Sequence, residues 1–393
     1  MRVLRFARLK NPSEFFRPGR ADPASAARRG RLDLGRVAVE TPAFMPVGTL
    51  GAVKGVPFDL LEAWDCRLIL ANTYHLMLRP GLAGMRRAGG LHRFTGWNRG
   101  FLTDSGGFQV MSLSAQRVVT EEGSRFRSHL DGSEAMLTPE LAMELQSAFG
   151  TDIAMCLDVC PALPAPRREV EEAVAITTRW AKRCREAWRG PGALFGIVQG
   201  GTHDDLRARS AEEISALGFE GHAIGGVAVG ETKSEIARVT DLACARLPPG
   251  KPRYLMGVGT PADLLAAVRA GVDLFDCVLP TRNGRMGHAY TSEGSISIKN
   301  ARFTEDDSPL DRECGCPVCR RHSRAYLRHL FVLRDITAPV LISAHNVHFY
   351  LAWMARIRAA LDSGDLASLQ APPDAKVPAG DRGDRMGAGE TSG

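Results

Sequence analysis

Three aspartates stand where apolar runs give way to turns: Asp104 in Asp104-Ser-Gly-Gly-Phe108, Asp158 in Asp158-Val-Cys160, and Asp276 in Asp276-Cys277. Asp276 is the most telling, because it interrupts the run Leu274-Phe-Asp-Cys-Val-Leu279. A carboxylate there costs several kcal/mol to bury unless it is partnered. Carboxylates gathered in a dry cleft can act as nucleophile, as general acid and base, or as acceptors for the N–H groups of a ligand. Each also has a plainer reading, since an Asp after a strand often caps the next helix. Asp104 fits a cap poorly, because no helical pattern starts beside it. Gln199-Gly-Gly201, Gly225-Gly226 and Met256-Gly-Val-Gly259 hold the same kind of position. Their glycines either serve turns or let a ligand reach the backbone.

A second chemistry lies further along. Cys314-x-Cys316-x-x-Cys319 offers three thiolates, and His345 follows on a helical pattern, with His348 competing for the same role. Three thiolates and one imidazole satisfy tetrahedral zinc and leave no open position, so such a site is structural, one ion per chain. Buried free thiols are the alternative. Nine cysteines with one such cluster point to metal, not disulfides.

The elements that must position these residues follow a repeated grammar from about residue 40 to 300. Short apolar runs, Cys66–Ala71, Gly100–Leu102, Thr151–Leu157, Ala193–Val198, Gly221–Val227, Arg253–Val258, Leu274–Leu279 and His288–Thr291, alternate with helical patterns such as Pro139–Phe149, Arg168–Trp188 and Lys233–Leu247. Near-continuous apolar strands between helices imply a parallel sheet buried on both faces. About eight such units fit an α/β fold of the closed (β/α)8 TIM-barrel type better than a doubly wound sheet, and no strand–GxGxxG–helix unit supports the latter. In a barrel the strand C-termini build the active site, so the three aspartates, Gln199 and the glycines are expected at one mouth.

The expected organisation is a loosely ordered N-terminal extension over 1–35, a catalytic barrel over 36–300, an inserted zinc-binding subdomain with a final helix over 301–362, and a disordered tail over 363–393. A net charge of +6 favours a polyanionic partner such as RNA without requiring one. No apolar stretch is long enough for a membrane span, and the first residues lack a secretory pattern, so a cytoplasmic protein is expected.

These residues carry a resemblance to the tRNA-guanine transglycosylases, across about residues 36–360. The segments are Glu40-Thr-Pro-Ala-Phe-Met-Pro-Val-Gly-Thr49, Ala71-Asn-Thr-Tyr-His-Leu76, Leu102-Thr-Asp-Ser-Gly-Gly-Phe-Gln-Val110, Gly225-Gly-Val-Ala-Val-Gly-Glu231, Tyr254-Leu-Met-Gly-Val-Gly259, Phe275-Asp-Cys-Val-Leu-Pro-Thr-Arg282 and the Cys314/Cys316/Cys319/His345 set. The resemblance implies Asp276 as nucleophile and Asp104 as acid and base. It implies Asp158, Gln199, Gly226 and the Val227 backbone as guanine-recognising groups, Phe108 and Met256 as the pair enclosing the base, and Arg282 and Arg285 as contacts to neighbouring nucleotides. It further implies a structural zinc, a homodimer, and exchange of guanine for 7-aminomethyl-7-deazaguanine in tRNA with a GUN anticodon, during queuosine synthesis. The homodimer surface is then expected on a basic helix over Arg320–Leu333, with His322, Tyr326 and His329 in helical spacing; a solvated face is the alternative. A non-catalytic tRNA-binding relative of the same fold is the competing functional reading. The chain departs from the family at Phe108, where Tyr is usual, at Val159, where an acid is common, and at Val227, where Leu is common. Cys160 and Val229 match the bacterial pattern.

Overall fold

The structure, a computed structural model, describes residues 15–113 and 117–373. Eight parallel strands make its centre: β1 (Ala43–Pro46), β2 (Leu68–Ala71), β3 (Gly100–Thr103), β4 (Ile153–Met155), β5 (Ala193–Val198), β6 (Gly221–Ile224), β7 (Arg253–Leu255) and β8 (Leu274–Cys277). Hydrogen bonding runs from β1 through β8, β7, β6, β5, β4 and β3 to β2. A Val47–Leu70 bridge, with the Gly48 N–H donating to the Leu70 carbonyl at 2.6 Å, closes the ring. Every residue of β5, Ala-Leu-Phe-Gly-Ile-Val, is buried, as expected of a strand covered on both faces.

Helices return the chain between strands, and their ends are written locally. Helix Pro139–Phe149 starts on Thr138, whose side chain accepts from the Leu141 N–H, and stops at Gly150 in the left-handed region. Capping boxes at Thr232/Glu235 and Thr260/Asp263 start the helices after β6 and β7. Among the described residues no helix is long and apolar enough to cross a membrane.

Four boundaries differ from those the sequence implies. His288–Thr291 is no barrel strand; among the described residues it pairs with Gly294–Ser297 alone, in a hairpin. The missing strand is β1, hidden because its four residues, Ala43–Pro46, are a short apolar run that follows one proline and ends on another. Asp276 therefore sits on the eighth strand of the barrel. Within the expected loose extension, residues 15–33 are ordered: Phe16–Ala21, Arg28–Asp33 and Ala38–Thr41 form an antiparallel sheet. It plugs the barrel floor, where Phe15 packs edge-on against Phe195 and Arg28 pairs with buried Asp273 at 2.7 Å. Residues 1–14 lie outside the described residues. At the other end, 363–373 is not loose, because Leu366 is fully buried and Arg269 donates to the Leu366 and Leu369 carbonyls. The rest of the expected tail lies outside the described residues.

The final helix, Thr337–Ser363, belongs to the barrel and not to a separate body. Tyr350 meets Phe44 of β1 at 4.9 Å between ring centroids, and Trp353 donates to the Pro261 carbonyl. The cysteine segment is thus inserted between β8 and the helix that completes its unit. The basic stretch over Arg320–Leu333 is two helices, Pro317–Arg321 and Arg324–Val332, broken at His322 and Ser323.

Candidate active site

Asp276 is held through one oxygen. Its Oδ1 accepts from the Tyr254 hydroxyl at 2.6 Å and from the Gly257 N–H at 2.8 Å. Gly257 can turn its N–H there because it adopts a φ of +72°. Burial pushes the Asp276 carboxyl above its usual range, and the two hydrogen bonds oppose that rise.

Asp104 directly follows β3 and is gripped differently. Its Oδ1 accepts from the backbone N–H of Thr73 at 2.8 Å and of Gly106 at 3.2 Å, and its Oδ2 from the Asn72 amide. Burial pushes its pKa up to about 7; the Thr73 and Gly106 bonds oppose this, and the charges of Asp276 and Asp158 add to it. Buried acids that sense one another's charge cannot all ionise near neutral pH. With a pKa of about 7, Asp104 is suited to take up and release a proton near neutral pH.

Asp158 opens a second cluster beside the first. Its Oδ1 accepts from Ser105 Oγ at 3.0 Å and its Oδ2 from Gln199 Nε2 at 2.7 Å. Burial raises its pKa against those two bonds. The Gln199 carbonyl oxygen is buried with no partner, an unsatisfied group in a polar cleft. Gly225 and Gly226 leave room for this amide: a Cβ on Gly226 would lie 2.2 Å from Gln199 Oε1, and one on Gly225 2.9 Å from its Nε2. Met256 lies over the same glycine, its sulfur 3.6 Å from a Cβ at Gly225. Gly107 abuts Asp158, so Phe108 stands at the rim, 47% exposed. Val227 is buried beside them. The arrangement gathers a carboxylate, an amide and glycine backbone near a thioether, groups suited to a flat heterocycle with several N–H and C=O groups. Arg282 and Arg285 lie on helix Leu279–Arg285, directly after β8; both are exposed, three residues apart on one helix, and outside the hydrogen-bond network of the acids.

Far along the chain the ligand atoms of Cys314, Cys316, Cys319 and His345 lie within 4.8 Å of one another. His345 Nδ1 is 3.5 Å from Cys316 Sγ and 3.3 Å from Cys319 Sγ. Tetrahedral zinc, with Zn–S of about 2.3 Å and Zn–N of about 2.0 Å, spaces sulfur and nitrogen about 3.5 Å apart. His345 Nε2 sits 2.7 Å from the Tyr290 carbonyl oxygen, to which it can only donate, so Nδ1 keeps its lone pair for the thiolates. His348 approaches Cys314 alone, at 3.5 Å, and packs edge-on against Trp64. The residues fit a closed metal site.

The family model for queuine tRNA-ribosyltransferases matches residues 22–376. The queuine tRNA-ribosyltransferase of Dinoroseobacter shibae is 51% identical over 349 residues, 88% of this chain and 93% of that protein. Those of Syntrophobacter fumaroxidans and a Shewanella species are 50% and 49% identical, over 88% and 86% of this chain and 94% and 92% of theirs. The chain belongs to the queuine tRNA-ribosyltransferase family.

Within this family frame, several side chains at the site were not singled out from sequence. Tyr254 is fully buried on β7, next to the strand bearing Asp276; it heads the segment Tyr254–Gly259 that carries the resemblance, but the sequence assigns it no role. Asn72 and Thr73 hold Asp104; Asn72 is also the cap of helix Thr73–Leu78, which is how its type reads in isolation. Ser105 reads as a turn residue yet holds Asp158. Arg207 gives no signal at all, since Asp204-Asp-Leu-Arg-Ala-Arg209 has the charge pattern of an exposed helix.

Proposed function

We propose that this chain is a tRNA-guanine transglycosylase that exchanges guanine at the anticodon wobble position for 7-aminomethyl-7-deazaguanine, through a covalent ribosyl-aspartate intermediate, in queuosine synthesis. One observation carries the reading: two buried carboxylates stand at the ends of barrel strands and differ in their hydrogen bonding, Asp276 being held through one oxygen and Asp104 through both. Replacing one base by another at a ribose without hydrolysis needs a sugar–enzyme bond that outlives the first base. Both bonds to Asp276 go to Oδ1, so Oδ2 is assigned the attack on C1′. The C1′–N9 bond breaks, its electron pair leaves with guanine, and guanine takes the proton from Asp104. The incoming base gives its N9 proton to Asp104 while N9 attacks C1′ and releases the Asp276 carboxylate.

Asp158 accepts from the N1–H and 2-amino groups of the base, while Gln199 and the backbone at Gly226 and Val227 donate to its O6. This requires the Gln199 amide to leave Asp158, where it rests in the ligand-free site. Phe108 and Met256 cover the two faces of a base turned out of the loop. Arg282 and Arg285 take neighbouring nucleotides. Cys314, Cys316, Cys319 and His345 hold one structural zinc, which ties the inserted segment to the final helix. The reading includes a homodimer: helix Arg324–Val332 and the turn after it expose Tyr326, Val332, Leu333 and Ile336, an apolar patch suited to a second copy.

The test uses a tRNA with guanine at the wobble position, quenched in denaturant to reveal an RNA–protein adduct. Asp276→Asn abolishes adduct and exchange while tRNA affinity stays within a few-fold. Undiminished exchange by that variant would sink the mechanism. Labelled-guanine exchange by the purified chain separates an enzyme from a binding relative, which shows none.

A further inference from the structure

Arg207 lies in helix Asp204–Ala216 and is completely buried. Its partners are carbonyl oxygens. Nε donates to Gly201 at 2.8 Å, Nη1 to Val198 at 3.2 Å and to Gly225 at 2.7 Å, and Nη2 to Gly226 at 2.8 Å. Two of these carbonyls flank Gln199 at the end of β5, and two belong to the glycine pair at the end of β6. One guanidinium thus ties together the two strand ends that carry the proposed donors to a base oxygen.

The direction of those bonds matters. In a trans peptide the C=O and the following N–H point in opposite directions. Pulling the Gly225 and Gly226 carbonyls toward Arg207 turns the N–H groups of Gly226 and Val227 away from it. The Gly226 N–H accordingly faces the Cys160 thiol, in the wall beside Asp158. A hydrogen bond to the carbonyl also polarises the peptide and strengthens its N–H as a donor. Burial pushes the Arg207 pKa down to about 10, still far above neutral, so the clamp stays charged. A helix anchor needs none of this; an apolar side chain would pack the same helix without burying a charge.

We propose that Arg207 is a positioning residue that sets the spacing of the Gln199 amide and the Gly226 N–H, so that both converge on the exocyclic oxygen of a 6-oxopurine. This rests on the base-pocket reading above. It makes the discrimination of oxygen at that position depend on a side chain that never touches the base.

The probes are guanine and 6-thioguanine, which keeps N1–H and the 2-amino group but replaces O6 by sulfur, a weaker acceptor. Binding of each to the full chain is measured by calorimetry, alongside melting temperature. The wild type binds guanine more tightly. Arg207→Lys reaches fewer carbonyls, so guanine binding weakens about tenfold while 6-thioguanine binding changes less than twofold, and the preference collapses. Arg207→Gln, with an uncharged donor head, carries the same comparison should the lysine variant not fold. A purely structural role lowers the melting temperature and the active fraction but leaves the ratio of affinities unchanged. An unchanged ratio, equal weakening of both bases, or equal affinity of the wild type for the two overturns the proposal. A wild type that binds neither base overturns the pocket reading itself, whereas discrimination that survives in the variants removes Arg207 alone.

Discussion

At Asp276 a hydroxyl and an amide share one carboxylate oxygen, and both favour the ionised form against the burial that raises its pKa. Removing the hydroxyl with Tyr254→Phe takes away a hydrogen bond to a charged group, worth about 1.5–3 kcal/mol. At about 1.4 kcal/mol per unit, the Asp276 pKa moves up by roughly one to two units. The acid limb of adduct formation then shifts to higher pH by the same amount, while the rate on the plateau changes less; an unmoved limb would show that the phenol only packs. Asp104 makes a prediction about stability. Its folded pKa of about 7 exceeds the unfolded value, so its protonated form favours the native state. That contribution is complete below about pH 4 and is lost as pH rises through about 7. The Asp104→Asn variant lacks this titration. Between pH 5 and pH 8 the wild type therefore loses more melting temperature than the variant, by an amount corresponding to a few kcal/mol; parallel profiles would contradict the raised pKa.

At the scale of elements, the cysteine segment and the final helix meet at the proposed metal site, since Cys314, Cys316 and Cys319 sit on the inserted segment and His345 on Thr337–Ser363, while helices Pro317–Arg321 and Arg324–Val332 also pack on that final helix. Cys316 is fully buried and also accepts the Cys319 N–H at the start of helix Pro317–Arg321. Cys316→Ser removes one of the four proposed ligands and leaves a poor site. Loss of a structural metal belongs among the large single-residue effects, above about 4 kcal/mol, which at roughly 2 °C per kcal/mol lowers the melting temperature by about 8 °C. Metal content measured on the same sample falls below one ion per chain; unchanged content and melting would refute the assignment. The elements also show what a sequence can carry. Seven of the barrel strands were legible because burial on both faces makes each a run of apolar residues, and Pro139–Phe149 was legible because its cap and stop are local. Strand β1 was not, because its place comes from pairing with β8 and a single bridge to β2, both distant in sequence. The floor sheet was missed for a related reason: Phe15, Leu32 and Leu34 show no period until the barrel underneath gives them a face to cover. Asp276 stood out because its neighbours are apolar, whereas Arg207 and Tyr254 acquire their roles only from side chains and carbonyls on other strands.

For the whole molecule, the net charge of +6 is a weak guide to where a polyanion would lie, because many arginines are already neutralised on the surface. Arg179 pairs with Glu121, Arg183 with Glu140, Arg167 with Asp205 and Arg209 with Glu213. Even the segment after the cysteines spends its charge internally, Arg324 on Asp306 and Arg328 on the Asn300 carbonyl. Arg282 and Arg285 differ in being exposed at the barrel mouth, immediately past the strand that carries Asp276. If tRNA is held there, its affinity falls steeply with salt through release of counterions, with a slope of about 0.7–0.9 per phosphate contacted. Arg282→Ala and Arg285→Ala should each reduce that slope by roughly one phosphate's worth, and leave the binding of free guanine unchanged. Arg246 supplies the control. It ends helix Lys233–Arg246, and helices of a (β/α) unit finish at the floor of the barrel, away from the mouth. Arg246→Ala removes the same charge from the same molecule, so a slope that depended on net charge would fall equally in all three variants. A slope lowered only by the two mouth substitutions places the polyanion over Asp276; equal effects, or an affinity indifferent to salt, would move it elsewhere.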